Sequence, residues 1–141
     1  MRFSWPADIL EEEEGITVTF PDIPGAVTWG GTRAEAMERG SDALVSIISA
    51  MIEDGKAIPA ASKASGRPLI GVGPLDAAKI ALHMAMLEKR MSNVELGRQM
   101  GMDEKAIRRL RDPLQRSHIE TLDTALRIMG RRIEVSVLEN A

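Results

Sequence analysis

Cysteine and tyrosine are both absent from the chain, and histidine, phenylalanine and tryptophan occur only twice each. Without cysteine there are no disulfides and no thiol chemistry, which suits a reducing compartment. Two histidines and no thiolate leave few ligands for a zinc site. So few rings speak against an aromatic platform for stacking RNA bases. No apolar run approaches the roughly eighteen residues of a membrane span, and Met1–Pro6 lacks the apolar core of a secretion signal. The expectation is a cytoplasmic protein with no membrane partner. What remains is ordinary for a soluble globular chain: 141 residues, 44% hydrophobic and 28% charged, enough for one domain or two very small ones.

The net charge of −3 hides an uneven distribution. Residues 1–73 carry six Lys/Arg against eleven Asp/Glu, a balance of −5, whereas residues 74–141 stand at +2. Between residues 98 and 132 nine basic groups face five acidic ones, a balance of +4. Opposite signs in the two halves suggest two modules with different partners, and the expected boundaries are 1–73 and 74–141. Between them Lys56–Pro68 is rich in small, polar and breaker residues and has no apolar period, as expected of a loop.

The first module reads as strands followed by one helix. Phe3, Trp5, Ala7 and Ile9 alternate with Arg2, Ser4, Pro6 and Asp8, the period of a half-buried strand with Pro6 at an edge or bulge. Glu11–Glu14 and Gly15 form the turn, and Ile16, Val18 and Phe20 mark a second strand. Pro24-Gly25 suits a type II turn before a third short strand, Ala26–Trp29. Thr32 and Glu35 make a capping box for a helix whose apolar stripe is Met37, Leu44, Ile47, Ile48, Met51 and Ile52. Leu69–Val72 returns as a last strand. The predicted order is β-β-β-α-β.

The second module is helical until its last residues. Leu75, Ala78, Leu82 and Met86 share a face, with Ile80, Met84 and Leu87 beside it. Ser92 and Glu95 open a short helix that ends at Met100-Gly101; Asp103 caps the next, which ends at Asp112-Pro113. Ser117 and Glu120 form another capping box for a helix with Ile119, Leu122, Leu126 and Met129 inward. Ile133, Val135 and Val137 then alternate with polar residues in a predicted C-terminal strand. That strand has no partner within its own module, so dimerisation through Arg132–Leu138 is expected.

Two short helices joined at a glycine turn have the spacing of a helix-turn-helix. Gly97 is the small residue where the helices cross, and Met102, Ile107 and Leu110 are the apolar back of the second helix. Its outer side carries Lys105, Arg108 and Arg109, donors suited to base edges. Asn93, Gln99, Arg111, Arg116 and His118 are candidates for phosphate contacts. Acidic residues show no converging set for two-metal nuclease chemistry, so no catalytic residue, metal or cofactor is expected.

Two stretches carry a family resemblance. ITVTFPDIPGAVTWGGTRAEAMERGSDAL is similar to the strand, Pro-Asp-x-Pro-Gly turn, strand and helix start of HicB-type antitoxins. MSNVELGRQMGMDEKAIRRLRDPLQRSHIETLDTALRIMGRRIEVSVL is similar to the variant of that family with a C-terminal Xre/Cro-like helix-turn-helix and terminal strand. Ala26 stands where the family often has cysteine, and Gly97 where alanine is usual. The resemblance implies an α+β protein: a partial ribonuclease H-like N-terminal module that blocks a basic HicA-type mRNA interferase, and a DNA-binding module that represses its own operon. Glu11, Glu12, Glu13, Glu14 and Asp22 are the candidate toxin-facing residues, an acidic surface suiting a basic partner. A one-component regulator with a ligand-sensing first module, and a ribonuclease H-like nuclease, stand as alternatives.

Overall fold

The structure, a computed structural model, describes residues 1–139. In chain order the elements are β1 (Ser4–Pro6), β2 (Asp8–Glu12), β3 (Gly15–Thr19), β4 (Val27–Gly30), α1 (Arg33–Glu53), β5 (Leu69–Gly71), α2 (Pro74–Lys89), α3 (Asn93–Met100), α4 (Glu104–Arg111) and α5 (Ile119–Ile128). The fold class is α+β, with a small N-terminal sheet and several helices.

The run expected as one N-terminal strand changes partner at Ala7. Its first part, β1, pairs antiparallel with β5, matching Trp5 to Ile70 and Pro6 to Leu69. Its second part, β2, pairs antiparallel with β3, and β3 with β4. Odd-numbered residues bond towards β5: the Phe3 carbonyl accepts from Val72 N–H, and Ala7 N–H donates to the Pro68 carbonyl. The Pro6 nitrogen therefore points away from that ladder, where its missing hydrogen removes no rung. Glu11 and Glu12 belong to β2, so the turn shortens to Glu13-Glu14.

Alternation decides what the sheet buries. Trp5, Ala7 and Val18 face inward and are at most 2% exposed. Against them packs α1, capped as expected by Thr32, whose hydroxyl accepts from Glu35 N–H at 3.2 Å. The inward line of α1 is Ala36, Gly40, Leu44, Ile48 and Ile52. Its first two members are small residues that an apolar stripe does not flag, and they bring the helix close to the sheet. A Cβ on Gly40 would lie 3.1 Å from Ile70 Cδ1.

The Lys56–Pro68 loop is held at several points. Ile58 is 3% exposed in the first core. The Trp5 indole N–H donates to the Pro59 carbonyl at 2.9 Å. Asp22 accepts from both the backbone N–H and the hydroxyl of Ser62.

Helix α2 serves two cores. Ile80 and Met84 join Trp5, Leu44 and Ile48 of the first, while Ala78, Leu82, Ala85 and Met86 join α3, α4 and α5 in the second. Three expectations for the second module are corrected. Ser117 does not cap α5: that helix begins after His118 without a side-chain cap, and the Ser117 hydroxyl is taken by Lys79. Ile119, expected inward, is 40% exposed. The predicted C-terminal strand is also absent among the described residues: 131–139 has no regular structure. A lone strand has no ladder to satisfy its backbone groups; Ile133 packs on the second core with its N–H donating to Asp123, and residues 134–139 are exposed.

Trp5→Phe keeps a buried six-membered ring but removes the indole N–H together with the rest of the five-membered ring. It should lower unfolding free energy in urea by at least about 1–2 kcal/mol, the lost hydrogen bond and the cavity adding, and speed tryptic cleavage after Lys56 and Lys63. Unchanged cleavage would show that the Pro59 tie does not hold the loop.

Candidate functional site

The most sharply two-sided element is α4. Asp103 caps it, its carboxylate accepting from Ala106 N–H at 2.8 Å. Ile107 and Leu110 point into the second core and are nearly inaccessible, whereas Lys105, Arg108 and Arg109 are exposed. The preceding helix α3 is capped by Ser92, whose hydroxyl accepts from Glu95 N–H. Between the helices Gly101 takes a left-handed φ of 68°, which glycine adopts without a Cβ clash. Gly97 permits the close crossing. There the Met102 N–H donates to the Gly97 carbonyl at 2.8 Å, and a Cβ on residue 97 would lie 2.3 Å from the Met102 carbonyl oxygen. The crossing in this chain is therefore too tight for alanine without a backbone shift.

The exposed guanidiniums are lightly held. Arg108 pairs with Glu104 one turn earlier at 2.9 Å, and Arg98 with Glu95 at 2.5 Å. Such surface pairs contribute about 0–1 kcal/mol each, so either arginine can leave its partner for a stronger anion. The Glu104 carboxyl is held below the usual carboxylate range by hydrogen bonds from Asn93 and Arg108. Gln99, Arg116 and His118 are exposed. Gln99 leans on Glu95 at 3.4 Å.

Asn93 and Arg111 are placed differently. Both are half-buried and turned towards the junction with the first module. Arg111 donates to the Asn93 side-chain carbonyl at 2.7 Å and to His83 Nδ1 at 2.5 Å, and Asn93 donates onward to Glu104. These hydrogen bonds hold α4 against α2 and α3, while the buried Arg111 Nε has no partner among the described residues. Burial lowers the Arg111 pKa below the ordinary arginine value. Nearby, Ser49 of α1 donates to Asp112 at 2.6 Å, fastening the end of α4 to the first module. Ser49, Glu53, Asn93, Arg108, Arg111 and Asp112 wall an open cleft of about 490 Å³ there.

Two side chains that sequence reasoning passed over organise this junction, and both come from α2. Lys79 is fully buried, and its three ammonium donors meet three acceptors: the Arg109 carbonyl at 2.9 Å, the Leu110 carbonyl at 3.1 Å and the Ser117 hydroxyl at 2.7 Å. A cation thus satisfies carbonyls at the C-terminal end of α4, where the helix dipole favours positive charge. Burial lowers its pKa, opposed by Asp112 and Asp76. His83, also fully buried, holds the Lys56 carbonyl at 2.7 Å through Nε2 and receives Arg111 at Nδ1. These contacts fit a neutral ring with its proton on Nε2, since Arg111 can only donate. The available signal was a lysine and a histidine four apart within the otherwise apolar stretch 77–87 of that helix; their partners lie far off in sequence.

The proposed toxin-facing acids also separate. Glu11 pairs with Arg33 at 3.3 Å, Glu12, Glu13 and Glu14 are exposed, and Asp22 is occupied by Ser62. Among the described residues no group of three or more His, Cys, Asp or Glu side chains is placed to hold a metal ion, and no helix is long and apolar enough to cross a membrane.

Burial lowers the His83 pKa, opposed by the Lys56 carbonyl and reinforced by the neighbouring Arg111 charge. The unfolded chain therefore binds a proton that the folded chain resists. Stability should be complete above the ordinary histidine pKa of about 6.5 and fall as pH drops through it, by up to about 1.4 kcal/mol per pH unit. Urea unfolding at pH 7.5 and 5.5 should show the loss in the native sequence and a smaller loss in His83→Gln. Equal slopes would rule out His83 as the source.

Residues 5–67 match a family described as HicB_like antitoxin of bacterial toxin-antitoxin system. Antitoxin HicB 2 of Photorhabdus laumondii subsp. laumondii is 37% identical over 131 residues, covering 93% of this chain and 94% of its own length. Antitoxin HicB of Pseudomonas fluorescens is 31% identical over 139 residues, covering 97% and 95%. Antitoxin HicB of Escherichia coli K12 is 33% identical over 124 residues, covering 87% and 90%. With similarity running through the acidic sheet module and the helical module alike, this chain belongs to the HicB antitoxin family.

Proposed function

We propose that the protein is a two-function antitoxin of the cytoplasm. Residues 1–73 would bind and block a small basic HicA-type mRNA interferase, and residues 74–141 would bind operator DNA and repress the operon encoding both proteins. Membership of an antitoxin family supports a toxin partner and a binding role rather than an enzymatic one. The observation that carries the DNA reading is the split of α4, with Ile107 and Leu110 buried and Lys105, Arg108 and Arg109 exposed. Together with α3 and the Gly101 turn, it supports an Xre/Cro-like helix-turn-helix with α4 entering the major groove.

In this reading Lys105, Arg108 and Arg109 meet base edges, and Gln99, Arg116 and His118, joined by Arg98, meet phosphates. Asn93 and Arg111 act one step behind, by fixing the pose of α4. On the first module, the order β1 to β4, α1, β5 supports the partial ribonuclease H-like reading. Glu11–Glu14 and Asp22 are its candidate toxin-facing acids, of which Glu12, Glu13 and Glu14 are exposed and without an ion-pair partner among the described residues. Homodimerisation rests on the C-terminal segment, where Val135 is 75% exposed and Val137 93%. Alternating apolar residues left in water suit a strand that finds its ladder in a second chain.

Arg108→Ala or Arg109→Ala should weaken operator binding in a gel-shift titration by at least about tenfold, while the variant still co-purifies with the small protein encoded beside it. Loss of both activities together would mean unfolding, and retention of DNA binding would remove α4 from the contact. Deleting Arg132–Leu138 should halve the mass seen by light scattering; an unchanged dimer would move the interface elsewhere.

A further inference from the structure

One face of the N-terminal sheet is uncovered. Helix α1 covers the side carrying Ile9, Val18 and Thr28. The ladder registers place Leu10, Thr17 and Trp29 in one row of the opposite side, and Asp8, Thr19 and Val27 in the next. Leu10 is 57% exposed, Val27 58% and Trp29 49%. Three large apolar side chains on one small face are more than scattered surface residues, and a contiguous patch of this kind marks an interaction site.

Trp29 is also held in place. A Cβ on Gly15 would lie 2.3 Å from Trp29 Cζ2, so the indole lies against bare backbone that only glycine offers at this point. Gly15 has φ of 152°, a conformation side chains rarely adopt. The Trp29 carbonyl is fixed as well, accepting from Arg39 at 3.0 Å. One side of the ring rests on the protein and the other faces solvent. A large, pre-oriented aromatic surface loses little entropy on binding, and tryptophan is enriched among residues that dominate interfaces.

We infer that this sheet face, centred on Trp29 with Leu10 and Val27, is the docking surface for the basic toxin; the inference rests on the antitoxin reading above. Charge selects the occupant. Glu12 projects from the same face two pairs beyond Leu10, and exposed Glu13 and Glu14 form the adjoining turn. Asp8 on that face is balanced by Arg67 at 3.6 Å, so the surplus charge lies at the glutamate end. An apolar centre with an acidic rim fits a partner whose apolar patch is bordered by lysine or arginine, as an RNA-binding protein surface is. A second copy of this chain would set glutamates against glutamates, which disfavours self-pairing.

The test uses the full-length chain and the purified small basic protein encoded beside it, with affinity measured by calorimetric titration. Trp29→Ala should weaken binding by at least about thirtyfold and Leu10→Ala by about tenfold, with Lys89→Ala, at an exposed site on the last turn of α2, unchanged. Both side chains are exposed, so unfolding midpoints should stay close to the native one. The native affinity should also fall as salt rises. If the native chain binds while Trp29→Ala and Leu10→Ala bind equally well, the face is wrong and the antitoxin reading survives. If the native chain does not bind that protein at all, the antitoxin reading fails and takes this inference with it. A native dimer that Trp29→Ala splits in sedimentation would assign the face to a second copy and overturn the proposal.

Discussion

The structure depends on α2 presenting buried polar groups to elements on both sides of it. An ammonium group taken out of water costs several kcal/mol unless every donor is matched, and Lys79 matches all three on the end of α4 and the loop behind it. One turn on, His83 joins the Lys56 carbonyl, just after α1, to Arg111 of α4. Apolar packing alone would let α4 slide over α2 at little cost. Directed hydrogen bonds to buried groups allow one arrangement. The same helix buries Ile80 in the first core and Leu82 in the second, so neither core closes without it.

This arrangement separates the two surfaces that matter. Acidic residues and the open sheet face lie on the first module, and the exposed arginines and lysine of α4 on the second. Between them runs a junction of matched polar contacts, Ser49 with Asp112 and His83 with Arg111. Family membership fixes the toxin–antitoxin context, while the division of labour between the surfaces is the proposal built on it.

Local features of the fold were legible in sequence because their causes are local. Thr32, Ser92 and Asp103 each accept from the N–H three residues on, as capping spacing requires. The apolar back of α4 followed from helical periodicity. What was missed has distant causes. The partner change at Ala7 depends on a strand beginning at Leu69, and alternation cannot say which strand lies alongside. Ser117 has the pattern of a cap, yet its hydroxyl is claimed by Lys79 from α2. The partners that Asn93 and Arg111 find inside the fold were not visible either, because composition does not reveal which face of a helix a neighbour covers. Regular alternation in 131–139 likewise signals a preference for a strand, not the presence of a ladder. The face carrying Trp29 was hidden for the opposite reason: tryptophan in a strand is normally counted as core.

The tight crossing at Gly97 bears on how such a protein can change over generations. Because α3 and α4 are locked back to back by glycine and apolar contacts, with Lys79 of α2 holding the end of α4, the outward positions of α4 are released from any duty to the fold. Substitutions at 105, 108 and 109 can accumulate without passing through an unfolded intermediate. On the proposed division of roles, one copy could therefore drift after gene duplication to a new recognition code while its sheet module remained faithful to the original partner. Rigidity at residue 97 is what makes variation at those neighbours affordable.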